Sequence, residues 1–320
     1  LSACDEYYHC VLKCDRHFTS LPVATDATCS GLQILAGLAK DKNTASLVNV
    51  LPSDKPQDAY AVVARTAAPF CPSSIRNYMD RKVVKRVVMT VPYNAKPFSN
   101  RGYIKDALLE KGIEIDKDDL TKTVEAVRNA MDEVVPGPMA VMSWIEDAVT
   151  EVIKTGPGKY IKDKKTKKER WIWTLPSISW TTPSGFVVTQ KLMKKETERI
   201  NLQLMGNCKL TVAVDENEEN DLQHHRSATA PNLIHSLDAS LLHFSALAFN
   251  APIALIHDSV LCRATDMSAL SAVVRETYMH LFAEHNYLQD FANQIGAESN
   301  PPIIGDLEPS SVIDSTYFFC

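Results

Sequence analysis

The 320-residue sequence predicts a helix-rich α+β fold. Three observations carry that prediction. Residues 75 to 155 read almost continuously as helix; short apolar strands lead to an aspartate near each end of the chain; and a composition of 45% hydrophobic and 23% charged residues can bury a large core, as one large lobe or two intimately connected ones.

Leu21 to Ala24 forms a short apolar run that leads through Thr25 to Asp26, and the small residues Ala27 to Gly31 turn into the helical pattern Leu32 to Leu38. Asp26 therefore falls at a strand end. PSDKPQDAYAVVA, Pro52 to Ala64, predicts a helix capped by Ser53 or Asp54, with Pro56 in its first turn. In the helical middle, TKTVEAVRNAMDEVV carries Val124, Val127 and Met131 at helical spacing, and MAVMSWIEDAVTEVI continues the pattern. IKDKKTKKER then sets six basic residues in ten positions, which suits a solvated hairpin tip or a non-specific phosphate contact. WIWTLPSISWTTPSGFVVTQ reads as strands broken by Pro and Gly turns, and DENEEND, residues 215 to 221, as an exposed loop. APNLIHSLDASLLHFSALA is a helix. PIALIHDSVLCRA is a strand, a turn and a strand, with His257 and Asp258 at the tip.

No run approaches the roughly 20 apolar residues of a membrane span, and the start lacks a signal-peptide pattern, so an intracellular protein is expected. Leu1 in place of Met, followed at once by Cys4, Cys10 and Cys14, suggests part of a larger gene product. The eight cysteines contain no C-x-x-C pair, which favours reduced thiols over a zinc site. A net charge of -5 argues weakly against a nucleic-acid partner, because an enzyme can concentrate positive charge in one cleft.

Asp26 and Asp258 each close a largely apolar strand, where burial beside a like charge would be costly. A divalent cation between them removes the conflict, and two such carboxylates suit two-metal phosphoryl transfer, with oxygen ligands favouring magnesium. Alone, each is more often a turn residue or cap. Between them lies RKVVKRVVMTVPYNAKPF, in which Arg81, Lys85, Met89 and Tyr93 recur every four residues. On a helix they share one face about 18 Å long. Cations there suit a triphosphate and the ring suits a base; the plain alternative is a surface helix with a cationic stripe.

DATCSG (Asp26 to Gly31), RKVVKRVVMTVPYN (Arg81 to Asn94), APNLIHSLDAS (Ala230 to Ser240) and ALIHDS (Ala254 to Ser259) resemble, in order, the palm and fingers motifs of phage-type single-subunit DNA-directed RNA polymerases. Those enzymes serve bacteriophages, mitochondria and chloroplasts. VNVLPSDKPQDAY, TTPSGF and RINLQLMGN extend the resemblance from about Leu21 to Cys320. It implies a right-hand palm whose small antiparallel sheet carries the metal aspartates, over 1–45 and 196–320, and a helical fingers subdomain over 46–195. An amino-terminal promoter domain and a thumb would lie outside this chain. Asp26 and Asp258 would bind two Mg2+ ions. Arg81 and Lys85 would contact the incoming triphosphate, Lys85 also serving as an acid toward pyrophosphate. Tyr93 would guard the insertion site, and His235 would meet the ribose 2′-hydroxyl, while His257 shapes the strand tip.

Related DNA polymerases place a glutamate five residues after the first metal aspartate, where this chain has Gly31, so ribonucleotides are expected to fit. Arg199, Asn201, Lys209 and Thr211 resemble a promoter-reading hairpin, and equally suit an exposed polar strand. STYFFC, ending at Cys320, resembles the family's aromatic tail, which tucks toward the active site. Two departures stand out: Pro92 should end or kink the helix before Tyr93, and Asn94 replaces a glycine at a turn it can still make. The expected partners are double-stranded template and promoter DNA, nascent RNA and ribonucleoside triphosphates, with no membrane and a monomeric state. The expected setting is a virus-encoded enzyme in the host cytoplasm, or alternatively a mitochondrion or chloroplast. A DNA polymerase of the same superfamily and a catalytically silent nucleic-acid-binding fragment are the competing functions.

Overall fold

A computed structural model describes residues 1–19, 21–162, 167–202, 208–283, 285–303 and 305–319. In chain order the elements are α1 (Ser2–Tyr7), β1 (Pro22–Asp26), α2 (Ser30–Ala39), α3 (Lys42–Leu47), α4 (Ala59–Ala67), α5 (Ser73–Arg76), α6 (Arg81–Thr90), α7 (Pro97–Leu109), α8 (Lys117–Val134) and α9 (Pro136–Thr155). There follow β2 (Gly158–Lys162), β3 (Glu169–Trp173), β4 (Ile178–Thr181), β5 (Val187–Gln190), β6 (Met193–Leu202), β7 (Cys208–Asn220), α10 (Leu222–Ala248), β8 (Ile253–Ile256), β9 (Ser259–Arg263), α11 (Met267–Ala283) and α12 (Tyr287–Ile295). The strands form a three-stranded sheet in the order β1-β9-β8 and three hairpins, β2–β3, β4–β5 and β6–β7, all antiparallel. The expected helix-rich α+β class is the one adopted. Among the described residues no helix is long and apolar enough to cross a membrane.

Contacts divide the chain into two compact units: residues 1–141, 233–286 and 302–320, and residues 142–232 and 287–301. The first is built around α2, all ten of whose residues are buried. Such a helix has no polar face to spare, and its one long polar side chain is held at both ends of its amide. Gln33 Nε2 donates to the carbonyls of Val48 (2.9 Å) and Phe318 (3.0 Å). Tyr278 of α11 donates its hydroxyl to the Gln33 carbonyl at 2.8 Å, so the last buried phenol of the core is also satisfied. The surrounding helices start where an aspartate caps them: Asp41, Asp58, Asp80 and Asp116 each accept backbone N–H groups of the first turn. On α8, Leu120, Val124, Val127 and Met131 form the buried stripe that the spacing predicts.

In the second unit, Phe291 of α12 meets Trp180 and Trp144 edge-on, with ring centroids 5.5 and 6.4 Å apart. A buried amide ties β5 to α10 there. Gln190 Nε2 donates to His225 Nδ1 (3.0 Å) and Thr229 Oγ1 (2.8 Å), and its Oε1 accepts from Asn232 (2.7 Å).

Two expected elements are corrected. The helix expected over Pro52 to Ala64 begins only at Ala59, with Asp58 as its cap accepting from Ala61 N at 3.1 Å. The preceding loop is held open because Asn49 pairs with the backbone of Gln57 in both directions, at 2.7 and 3.1 Å. Residues 215 to 220, expected in an exposed loop, are the end of β7. Glu219 is buried there because Arg170 (2.8 Å) and Lys194 (2.7 Å) neutralise it, and Asn220 bonds the backbone of Leu175.

Gly37 of α2 lies against the Phe282 ring so closely that a Cβ would stand 2.8 Å from it. Gly37→Ala is therefore expected to destabilise the protein by about 1–3 kcal/mol, despite its better helix propensity, as read by chemical denaturation.

Candidate active site

The first unit's sheet sets Asp26 and Asp258 side by side. Asp26 is the last residue of β1 and pairs directly with Ser259, the first of β9. Asp258 immediately precedes Ser259 in the two-residue turn from β8, whose ends Ile256 and Ser259 pair across it. His257 takes a left-handed φ of 55°, which lets the turn close in two residues. It thus shapes the tip, as expected.

The Asp26 carboxylate is steadied by the Ala27 N–H at 3.0 Å. Ala27 forms a bridge with Phe319, and Thr28 donates its hydroxyl to the Tyr317 carbonyl at 2.7 Å. The carboxy-terminal segment is therefore tied to the two residues that follow Asp26, as the tail motif suggests; Cys320 itself lies outside the described residues.

One premise is corrected. β1 and β8 are largely exposed, and so is Asp26, while Asp258 is half-buried. Desolvation falls instead on Asp238 of α10. Its carboxyl is pushed up to about 7, first by burial and then by the charges of Asp258 and Asp26. Asp238 thus feels both of the other carboxylates. The sequence reading missed Asp238, although its spacing of three from His235 puts both on one helix face.

No three His, Cys, Asp or Glu side chains among the described residues form a closed metal cage. Magnesium is usually held by one or two carboxylates plus water and substrate phosphates. Asp26 and Asp258 supply that number, and a divalent cation beside them would relieve the repulsion that adds to burial in raising Asp238.

Tyr93 occupies the centre of the site. α6 stops at Thr90, a short 3-10 turn carries Val91 to Tyr93, and Asn94 takes a left-handed φ of 61°. Pro92 and Asn94 act as expected. The Tyr93 ring stacks on His235, 4.6 Å between centroids and 13° between planes, and its hydroxyl lies 3.2 Å from Ser30 Oγ. Burial pushes this phenol up to about 12. Gly31 lies beneath it: a Cβ there would sit 3.0 Å from Tyr93 Oη and 3.2 Å from Pro92 Cβ. The space left by the missing side chain is filled here by Tyr93 rather than standing open. Ser30 was also missed, having no signal of its own in a run of small residues.

On α6, Arg81, Lys85 and Met89 are exposed on the expected face. Arg81 is held sideways: its Nε donates to Asp58 at 2.8 Å, and its guanidinium lies 5.2 Å over the Tyr60 ring. The charges of Asp258 and Lys85 both reach the buried Cys29 thiol, which burial raises, so Lys85 belongs to the same neighbourhood as the aspartates.

Arg199, Asn201, Lys209 and Thr211 lie in the second unit. Arg199 pairs with Thr211 and Asn201 with Lys209, so alternation puts all four on one exposed face of the β6–β7 hairpin. Residues 203–207 of the motif lie outside the described residues.

The family model for DNA-dependent RNA polymerase matches residues 1–301. The chain belongs to that family. It is of the phage-type, single-subunit class and resembles plant organellar polymerases over most of its length. It is 28% identical over 331 residues to "DNA-directed RNA polymerase 3, chloroplastic" of Nicotiana sylvestris, covering 94% of this chain and 31% of that one. To "DNA-directed RNA polymerase 1, mitochondrial" of Arabidopsis thaliana it is 29% identical over 328 residues, covering 93% and 31%. To "DNA-directed RNA polymerase 2A" of Nicotiana tabacum it is 29% identical, covering 93% and 92%. The polymerase chain thus spans under a third of the length of the first two relatives.

The raised Asp238 sets a pH dependence with a definite sign. Between its unfolded value near 3.8 and about 7 the folded polymerase chain holds a proton that the unfolded chain has released, so this group's contribution to stability falls as pH rises through that window. In chelator, the wild-type melting temperature is expected to drop relative to that of Asp238→Asn between pH 5 and 8, as measured by calorimetry. Magnesium should shrink the difference.

Proposed function

We propose that this chain carries the catalytic centre of a DNA-directed RNA polymerase, performing template-dependent ribonucleotidyl transfer to an RNA 3′ end. Residues 1–45 and 196–320 serve as palm and 46–195 as fingers. What supports this most is the adjacency of Asp26 and Asp258 across the β1–β9 pair, beside a third carboxylate raised first by burial and then by their charge.

In this reading Asp26 and Asp258 hold two Mg2+ ions. When bound, these ions lower the pKa of the attacking hydroxyl and neutralise charge on the departing phosphate. Everything else is done by the chain. Lys85 faces the triphosphate and donates a proton to the pyrophosphate oxygen as it leaves. Arg81 joins it by exchanging Asp58 for a phosphate, a swap of one charge-assisted bond for another. Tyr93 and His235, already stacked on each other, are the polar partners of the sugar, and Tyr93 must leave its seat on Gly31 for a base to enter. Gly31 accommodates either the tyrosine or the substrate, which ties entry of the nucleotide to movement of the ring.

The β6–β7 hairpin presents Arg199, Asn201, Lys209 and Thr211 to base edges and phosphates of promoter DNA. The names of the relatives favour an organellar setting over the viral one expected first. A silent binding fragment has no use for the carboxylate cluster, and a deoxynucleotide enzyme has no use for Gly31.

Primer-template extension tests the proposal. Ribonucleotides in magnesium should be incorporated in preference to deoxynucleotides. Asp258→Asn should lower kcat on the order of 10³-fold, in keeping with the several kcal/mol that metal stabilisation supplies. Undiminished extension by Asp258→Asn would remove the aspartate from the mechanism. Gly31→Ala should push the Tyr93 ring aside and narrow the ratio of kcat/KM for ribo- over deoxynucleotides; an unchanged ratio would sever Gly31 from sugar choice.

A further inference from the structure

The β2–β3 hairpin has two unlike faces. Its register pairs Lys159 with Ile172, Tyr160 with Trp171, Ile161 with Arg170 and Lys162 with Glu169, so alternation puts Lys159, Ile161, Arg170 and Ile172 on one face. That face lines a cleft of about 750 Å³ against the β6–β7 hairpin, within the second unit. Its cations are spent there: Lys159 pairs with Glu218, and Arg170 with the buried Glu219. The opposite face carries Tyr160 and Trp171, while Lys162 also lines the cleft. Tyr160 is 70% exposed and Trp171 43%, which is unusual for a tryptophan in a paired strand.

The two rings meet edge to face at 5.0 Å and 73°. A Cβ on Gly158 would collide with the Trp171 ring, so that glycine is what makes room for the indole. Even so packed, both rings keep exposed surface for a ligand. Lys167 and Lys168 outnumber Glu169 just before Trp171 in the chain, and all three are exposed. Aromatic rings flanked by cations hold single-stranded nucleic acid by stacking bases and attracting phosphates, without reading sequence.

We propose that this outer face of the β2–β3 hairpin is a stacking platform for single-stranded DNA. The choice of DNA rests on the promoter reading of β6–β7 given above. The two hairpins are joined by the Lys159–Glu218 and Arg170–Glu219 ion pairs, so strands parted near DNA on one hairpin lie beside the other.

Fluorescence anisotropy of the full chain with a labelled single-stranded DNA of mixed sequence tests this. Trp171→Ala and Tyr160→Ala should each weaken binding roughly 5- to 150-fold, while Trp171→Phe retains most of the affinity. Lys167→Gln should flatten the slope of log affinity against log salt by about 0.7. Tyr160→Ala keeps the test decisive if Trp171→Ala loosens the hairpin, because the tyrosine is mostly solvated. Absent binding by the wild-type chain, or alanine variants within twofold of it, overturns the platform. A Trp171-dependent preference for RNA of the same sequence overturns the assignment to DNA. Arg199→Ala, measured on promoter duplex, separates the two readings: a duplex defect there with silent Trp171→Ala sinks the platform alone, and the reverse pattern sinks the promoter assignment alone.

Discussion

Like charge gathered in a small space is the constraint on which the first unit's architecture turns. Asp26 and Asp258 arrive from segments 232 residues apart in sequence and become neighbours through one antiparallel register, with Asp238 raised to about 7 by its burial and then by their charges. Carboxylates in such proximity repel, and the fold keeps them together only because rigid elements hold each backbone in place. The register of β1 on β9 fixes two. The helix α10 fixes the third.

The scaffolding around that cluster is correspondingly stiff. α2 leaves Asp26 by a short turn and runs wholly buried, so the aspartate cannot drift without disturbing the core. The chain's last residues close on the same turn through the Ala27–Phe319 bridge and the Thr28–Tyr317 bond. Against this rigidity stand two groups poised to change partners. Arg81 rests on Asp58 and Tyr60, and Tyr93 rests on Gly31 and His235; both contacts involve residues that the proposed chemistry needs elsewhere. The fixed parts are the carboxylates proposed to bind metal, and the exchangeable parts are those proposed to meet the nucleotide.

Much of this was legible in the sequence because it rests on short-range signals. An apolar run ending in Asp26, the strand-turn-strand around His257 and Asp258, the arrest of α6 at Pro92 and the left-handed Asn94 are local consequences of residue type. What stayed hidden depends on contacts across long separations. Asp58 caps α4, rather than Ser53 or Asp54, because Asn49 grips the loop before it. The acidic run at 215–221 ends a strand because Arg170 and Lys194 await Glu219, and no local rule foretells a buried glutamate. Asp238 and Ser30 acquire meaning only once the Asp26 strand, α6 and α10 converge. The same holds for Gly31, whose missing side chain suggested an empty pocket and instead seats a ring.

Mn2+ titration followed by electron paramagnetic resonance addresses the carboxylate cluster most directly, since it reads the site without requiring catalysis. If Asp26 and Asp258 act as one site, Asp26→Asn and Asp258→Asn each abolish the tight binding seen in the wild-type chain, and the double variant is no worse than either. Tight Mn2+ binding that survives in both single variants, or losses that simply add, would contradict the account.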